Sequence, residues 1–438
     1  MAELVHPQSC PALKSECDLW ALPPTQMAIQ RKYEVEFRPI AALNGETPLV
    51  EFLIPSSAET YLDLDQTYLQ VKMKMKLMKT EAPAAPALQS PLTAALRQTF
   101  SPVNNMLHSM WQRIDLELNG KLVTATSTHY PYKAYLETLF NYDEMAMNTT
   151  LQGVGWKKDG DFGLSAERAA LPLDDGTIDL YGRLRLDIMN QGRLMIGGME
   201  MKLALQAHRP AFYFQCAANH HVEVEFQQIS LFLTCAKLHS PILTAQEKAL
   251  AANPAKYPIT RVDVKQFVVP AGQSNVPLDT VYNGQMPRRM FMCMVSNAAE
   301  NGSFTTNPFK FTHNRINHLT CLMNGESYPA IPMTPNFSNK RVKREYAGLF
   351  SALEQSSVRP TVTITPEEFV NGYTIFAWNF AADFADGCST HWNIMKRGSC
   401  RVELRFQEAL AEVISILFFA EFDSIIEIDI DRNVTCNF

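Results

Sequence analysis

A recurring period of two is the feature that most restricts what this chain can fold into. Tyr33–Arg38 (YEVEFR), Val71–Leu77 (VKMKMKL), Arg113–Leu118 (RIDLEL), Val222–Phe226 (VEVEF), Thr361–Thr365 (TVTIT), Arg401–Phe406 (RVELRF) and Ile426–Asp431 (IEIDID) each alternate apolar with polar residues. Successive side chains of a strand point to opposite faces, so each run reads as a strand with one face buried and one in water. Helical periodicity is confined to short stretches. Tyr132–Phe140 sets Tyr132, Tyr135, Leu136, Leu139 and Phe140 on one face, and Leu243–Ala252 is a run of helix formers that stops before Pro254. Nine of the 19 glycines follow Asn or Asp, at 45, 120, 160, 176, 284, 302, 325, 372 and 387. Such pairs readily take φ > 0, which tight hairpin turns demand. The expected class is all-β, mostly antiparallel, with short helices in the loops.

The chain also repeats itself. Asp115–Lys121 (DLELNGK) and Cys321–Glu326 (CLMNGE) are both strands running into an Asn-Gly turn, 205 residues apart, at Asn119 and Asn324. Each is followed by a short helical segment with Tyr and a terminal Leu-Phe, Tyr135–Phe140 and Tyr346–Phe350. Met201–Leu205 matches Val402–Phe406, and Ile229–Leu233 matches Ile414–Phe418. The shared order and near-constant offset point to a duplication. Its natural cut is Ser240–Pro258, which holds three prolines and a helix former between them. This gives an arm over 1–32, a first unit over 33–240, a linker with a short helix over 241–258 and a second unit over 259–438. Two β units of roughly 200 and 180 residues without crossover helices fit sandwiches, and eight-stranded jelly rolls suit that size. Immunoglobulin-type domains of about 100 residues would need four units.

Composition narrows the function classes. The chain carries 39 Lys+Arg against 45 Asp+Glu, a net charge of −6, and 19% charged residues. It lacks both the polarity of a disordered chain and the basic surface of a nucleic-acid binder. Its 25 Phe, 14 Tyr and 20 Met exceed what two cores of this size need, so part of that surface is expected in contacts between subunits. The first 20 residues hold no apolar signal-peptide core. The apolar run Val413–Ala420, broken by Ser415, is far too short to span a bilayer. Nine cysteines with no C-x-x-C are expected to be thiols, and the Asn148, Asn301, Asn336 and Asn433 sequons are then unglycosylated.

Catalytic signatures are missing: no G-x-G-x-x-G, Walker A loop, H-E-x-x-H or G-x-S-x-G, and no cofactor is expected. His221-x-Glu223 resembles the start of a deaminase zinc motif, but P-C-x-x-C never follows. His313 and His318 lack a recurring zinc spacing. Glu427, Asp429 and Asp431 would share one strand face, either as a solvated surface or as a Ca²⁺ site. Lys72, Lys74 and Lys76 read as the wet face of a strand that guards a sheet edge. Lys340, Arg341, Lys343 and Arg344 form the one compact basic cluster, a nuclear-import or phosphate-contact site or simply an exposed helix start. Ala82–Pro91 reads as a loop. Trp20, Leu22, Pro23 and Pro24 are an apolar anchor in the arm that either clips another subunit or covers its own roll. Trp156, with Lys157, Lys158 and Asp159, is the best place for a glycan platform, which would suit a carbohydrate- or receptor-binding jelly roll. A cupin-like enzyme would need an H-x-H metal set, and none is present.

Five segments together carry a family likeness: Ser15–Gln26, Pro102–Val123, Tyr130–Tyr142, Gly182–Met199, and Asn371–Phe380 with Arg401–Val434. On these, essentially the whole chain resembles the major capsid proteins of Polinton/Maverick elements and adintoviruses, relatives of virophage and adenovirus hexon capsid proteins. The resemblance implies a double jelly roll whose homotrimers form pseudo-hexagonal capsomers tiling an icosahedral shell around double-stranded DNA. It implies a structural protein without catalytic residues, sited in the virion capsid, made in the host cytoplasm and assembled there or in the nucleus. It further implies a penton or vertex protein and minor capsid proteins as partners. Strong direct nucleic-acid binding is not expected at this charge. Met195-Ile196-Gly197-Gly198 resembles an adenovirus-type protease site, or more simply a turn between strands.

Overall fold

A computed structural model of the protein describes residues 8–9, 15–20, 22–41, 43, 49–80, 87–124, 127–355, 360–384 and 392–437. The first half supplies the eight principal strands of its two main sheets: β1 (Ile29–Phe37), β2 (Leu49–Ile54), β3 (Thr60–Lys79), β4 (Trp111–Leu118), β5 (Lys121–Leu122), β6 (Thr177–Arg183), β7 (Met201–Ala207) and β8 (His220–Leu238). The second supplies eight more: β9 (Ala255–Val269), β10 (Asn275–Gln285), β11 (Arg289–Ser296), β12 (Ile316–Met323), β13 (Glu326–Met333), β14 (Ile375–Asn379), β15 (Arg397–Phe406) and β16 (Ile414–Ile428). The first eight form antiparallel sheets in the orders β1-β8-β3-β6 and β2-β7-β4-β5. The second eight repeat this strand for strand as β9-β16-β11-β14 and β10-β15-β12-β13. First beside eighth and second beside seventh is the jelly-roll order, so the chain is a double jelly roll. Three helices matter below: α1 (Tyr130–Asn141), α2 (Ser240–Ala252) and α3 (Lys343–Ala352).

Alternation builds most of these strands. In β3, Val71, Met73, Met75 and Leu77 are buried, while Lys72 and Lys76 reach Asp179 and Glu225 across the neighbouring strands at 3.9 and 2.9 Å. β3 lies between β8 and β6, so these lysines face water in mid-sheet and guard no edge. Three other expectations change. Thr361–Thr365 is not a strand. The Gln355 amide accepts from the Thr361 and Val362 amides, and Thr365 caps a short helix over Pro366–Val370. Its alternation reflects the burial of Val362 and Ile364 without sheet pairing. β16 ends at Ile428, and Asp429 begins the turn towards a short strand over Val434–Cys436. Glu427, Asp429 and Asp431 therefore share no strand face. Of the Ala82–Pro91 segment, 82–86 lie outside the described residues, while Ala87–Gln89 pairs with the end of β3.

The repeated segments occupy equivalent places. The Asn-Gly pairs join β4 to β5 and β12 to β13, with φ of 48° and 75° at Asn119 and Gly120 and 51° and 88° at Asn324 and Gly325. Positive φ at both central residues is the turn that matches strand twist. α1 and α3 follow those hairpins, and the last repeats fall in β7 and β15 and in β8 and β16. One contiguous apolar core runs through both rolls. β16 shows why: its residues Ile414–Ser424 are all buried, so both faces are covered. One face closes its own sandwich, where Phe422 meets Tyr282, and the other presents Phe419 to Phe140 of the first roll. The described cysteines are free thiols, with the Cys321 and Cys400 sulfurs 3.5 Å apart in the second roll, and Cys10 and Cys388 lie outside the described residues.

Candidate assembly site

The seam between the rolls is built on α1, which starts with Pro131 in its first turn, where a missing amide hydrogen is harmless. Its apolar face lies on the second roll. Tyr135 stacks on Phe309 with centroids 4.0 Å apart, Tyr132 meets the same ring edge-on at 5.7 Å, and Phe140 lies 4.5 Å from Phe291. Such ring pairs add about 0.5–1.5 kcal/mol each beyond area burial. Trp156 joins this cluster 5.2 Å from Tyr135 and is only 2% exposed, so it cannot serve as a glycan platform. Asp159 is also buried, 2.7 Å from Arg168, and accepts from Asn307 of the second roll at 3.2 Å. Lys158 reaches across to the Thr363 carbonyl and Glu368. Lys158 and Asp159 thus help to hold the rolls together.

Beside the seam lies an open cleft of about 810 Å³, lined from both rolls by Arg183, Arg185, Glu137, Arg288, Arg289 and Glu421 among others. Its charges are largely satisfied in place. Arg288 and Arg289 bind Glu421 at 3.3 and 2.7 Å, Arg183 pairs with Asp65, and Arg185 donates to the Tyr142 hydroxyl at 2.6 Å. Glu137 lies 3.8 Å from Lys133, which is held more tightly by Asp187 at 2.5 Å. Burial is the main cause pushing the Glu137 carboxyl up to about 7, with Asp187 and Glu421 adding to it and Lys133 and Arg185 opposing. No sequence motif singled out this cleft; the signal that could have found it is the Arg288-Arg289 pair at the head of a strand, with Glu421 and Asp423 set in the apolar β16.

The residues singled out from sequence are scattered. Trp20 and Leu22 are 86% and 90% exposed, and Pro23 and Pro24 are exposed with them. Lys340, Arg341, Lys343 and Arg344 are exposed around the start of α3, with Lys340 in a left-handed turn at φ 54°. Arg344 donates to the Ile331 and Pro332 carbonyls at 2.8 and 2.9 Å, which fixes its guanidinium to the fold. His221 lies 3.9 Å from Glu223 on β8, and His313 stacks on Phe337. Glu427 pairs with Lys256 at 3.4 Å and Asp429 accepts from Asn433. Among the described residues, no three His, Cys, Asp or Glu side chains are grouped to hold a metal ion. No helix there is long and apolar enough to cross a membrane. Met195–Gly198 is packed into the body. Met195 is buried, a Cβ on Gly197 would lie 2.4 Å from the Ala58 carbonyl oxygen, and Arg432 donates to the Gly197 carbonyl at 2.8 Å. A protease needs such a segment extended and free.

Comparison with known proteins agrees with this architecture. No protein-family model matches the chain. It is 25% identical over 421 residues to the uncharacterized protein F54H12.2 of Caenorhabditis elegans, covering 94% of this chain and 98% of that protein. Among solved structures, a chain of the Sputnik virophage superposes with a TM-score of 0.68 at 12% identity, covering 98% of this chain and 93% of that one. The mavirus major capsid protein superposes with a TM-score of 0.59 at 10% identity, covering 100% and 96%. The Faustovirus major capsid protein superposes with a TM-score of 0.56 at 9% identity, covering 93% and 92%. At these identities the likeness establishes the fold, and the fold is the double jelly roll that viral major capsid proteins share with this chain.

Proposed function

We propose that this protein is a major capsid protein of the Polinton/Maverick and adintovirus kind, a structural protein that works by binding copies of itself. The observation that carries this reading is the pair of eight-stranded rolls fused over one core, an architecture matched nearly end to end by capsid proteins. The full-length nematode relative supports a gene carried in animal genomes. Two similar slabs in one chain give six in a homotrimer, which approximates a hexagon and lets copies tile an icosahedral shell around a double-stranded DNA genome. Head-to-tail contacts must close into a ring, since an open set would grow filaments. The Trp20, Leu22, Pro23 and Pro24 arm serves as a subunit contact in this reading. The exposed cluster of Lys340, Arg341, Lys343 and Arg344 contacts phosphate or an import receptor in this reading. With a net charge of −6, the chain leaves genome packing to separate basic proteins, and penton and minor proteins complete the shell of the virion.

Mass photometry of the purified protein tests this. The expected species is three chains of 49.4 kDa each, with hexagonal outlines in negative stain. A monodisperse monomer at high concentration overturns it.

A further inference from the structure

A second cavity lies away from the seam, between α2 and the bases of both rolls. This open groove of about 670 Å³ has a floor that includes Tyr61, Leu194, Ile196 and Tyr257. Tyr257 fixes that floor, donating to the Leu194 carbonyl at 3.1 Å and accepting from the Ile196 amide at 3.0 Å. The wall is α2, which buries none of its residues yet turns Ile242, Ala249 and Leu250 towards the groove at helical spacing. Ile242 packs half-buried on the cluster of Tyr61, Ala236 and Leu238, and Gln246 and Glu247 also line the groove, so the Ala249–Leu250 part of the apolar face is what stays open. Arg193 and Arg432 stand at the groove and bond only to backbone carbonyls among the described residues. Neither has a carboxylate at ion-pair distance there.

The occupant is argued from the same neighbourhood. Ala28 and Ile29 line the groove, so the N-terminal arm departs from its edge. The arm's Leu19, Trp20, Leu22 and Met27 are all largely exposed, and none of them lines the groove of its own chain. Pro23 and Pro24 favour an extended arm, whose reach at ~3.1 Å per residue would be up to about 25 Å from Ala28 to Trp20. Folding back within one chain is thereby disfavoured, and reaching a neighbour is not. We propose that this groove receives Leu19, Trp20 and Leu22 of a second copy of the chain, so that each copy both offers an arm and presents a groove. The inference rests on the self-assembly proposed above and names the contact that serves it.

The test uses the full-length protein with the photo-cross-linker p-benzoylphenylalanine in place of Trp20, an exposed position that leaves the fold intact. Chains labelled with ¹⁵N and unlabelled chains are mixed before assembly, irradiated, and their cross-linked peptides mapped. The expected result is cross-links from position 20 into residues 193–196 or 242–257, joining heavy to light chains. The double variant Ala249→Asp, Leu250→Asp on the open part of the helix should lower their yield by about tenfold or more, as loss of an anchor site does, with an unchanged circular dichroism spectrum. Cross-links confined to one isotopic chain, cross-links to another surface, or unchanged yield in the double variant would each overturn the arm–groove contact while trimers still form. Monomers throughout would instead remove the self-assembly beneath it.

Discussion

At Glu137 burial works against ionisation. Below its ordinary value of 4.5 the carboxyl is protonated in folded and unfolded chains alike; between there and about 7 only the folded chain holds the proton. Stability therefore falls as pH rises through that window and is flat above it. Glu137→Gln, which leaves Lys133 its bond to Asp187, is expected to raise stability at pH ~8 by about 1–2 kcal/mol and to flatten the decline. Thermal unfolding of both proteins at several pH values checks this, and a variant as pH-sensitive as the parent would refute it. Arg168 behaves in the opposite way. Its guanidinium is bonded to Asp159, to the Pro102 carbonyl at 2.9 Å and to the Lys157 carbonyl at 3.0 Å. Arg168→Met strands the Asp159 carboxylate in the seam and is expected to cost about 3–5 kcal/mol. Chemical denaturation measures that loss, and the paired change Arg168→Met, Asp159→Leu should recover much of it.

Among the elements, two glycines show how backbone and packing demands separate. Gly120 turns the β4–β5 hairpin at φ 75° with nothing within 4 Å of an added Cβ, so Gly120→Ala bears only left-handed strain, about 1–2 kcal/mol. Gly182 in β6 has an ordinary φ, yet a Cβ there would sit 2.1 Å from the Val154 side chain. Gly182→Ala should be the more damaging of the two, read as the larger drop in melting temperature. The hairpin was legible because Asn-Gly reports a local conformation. The Gly182 contact was not, because its partner lies in a remote loop. The same division runs through the fold. β3, β4, β8 and β15 announce themselves by alternation, each having one wet face, whereas β1 alternates although none of its residues is buried. Thr361–Thr365 alternates equally well and is no strand, since period two records which side chains are covered and not what covers them. Trp156 misled for a related reason: lysines and an aspartate beside it suggested surface, but Lys158 and Asp159 are turned to partners in the second roll.

For the whole molecule, the shared core sets the expected unfolding behaviour. Two rolls with separate cores would melt as two units, whereas α1 lodges its rings in the second roll and β16 is covered on both faces. A single calorimetric transition is expected, with the ratio of calorimetric to van't Hoff enthalpy near one; two resolved peaks would contradict the common interior. α2 contributes little to that stability, since none of its residues is buried. Trypsin cleavage at Lys248 should accordingly leave both fragments comigrating on a native gel.

The two halves, alike in strand order, are thereby mutually dependent. Tyr132, Tyr135 and Phe140 sit in the first half, but their receptors, Phe309 and Phe291, belong to the second. A gene fragment ending before α2 would yield a polypeptide with a greasy helix and no lid for it, prone to clump, and supplying the missing fragment in trans should rescue its solubility. The two halves thus fit as lock and key within one molecule, each supplying a surface that the other must cover.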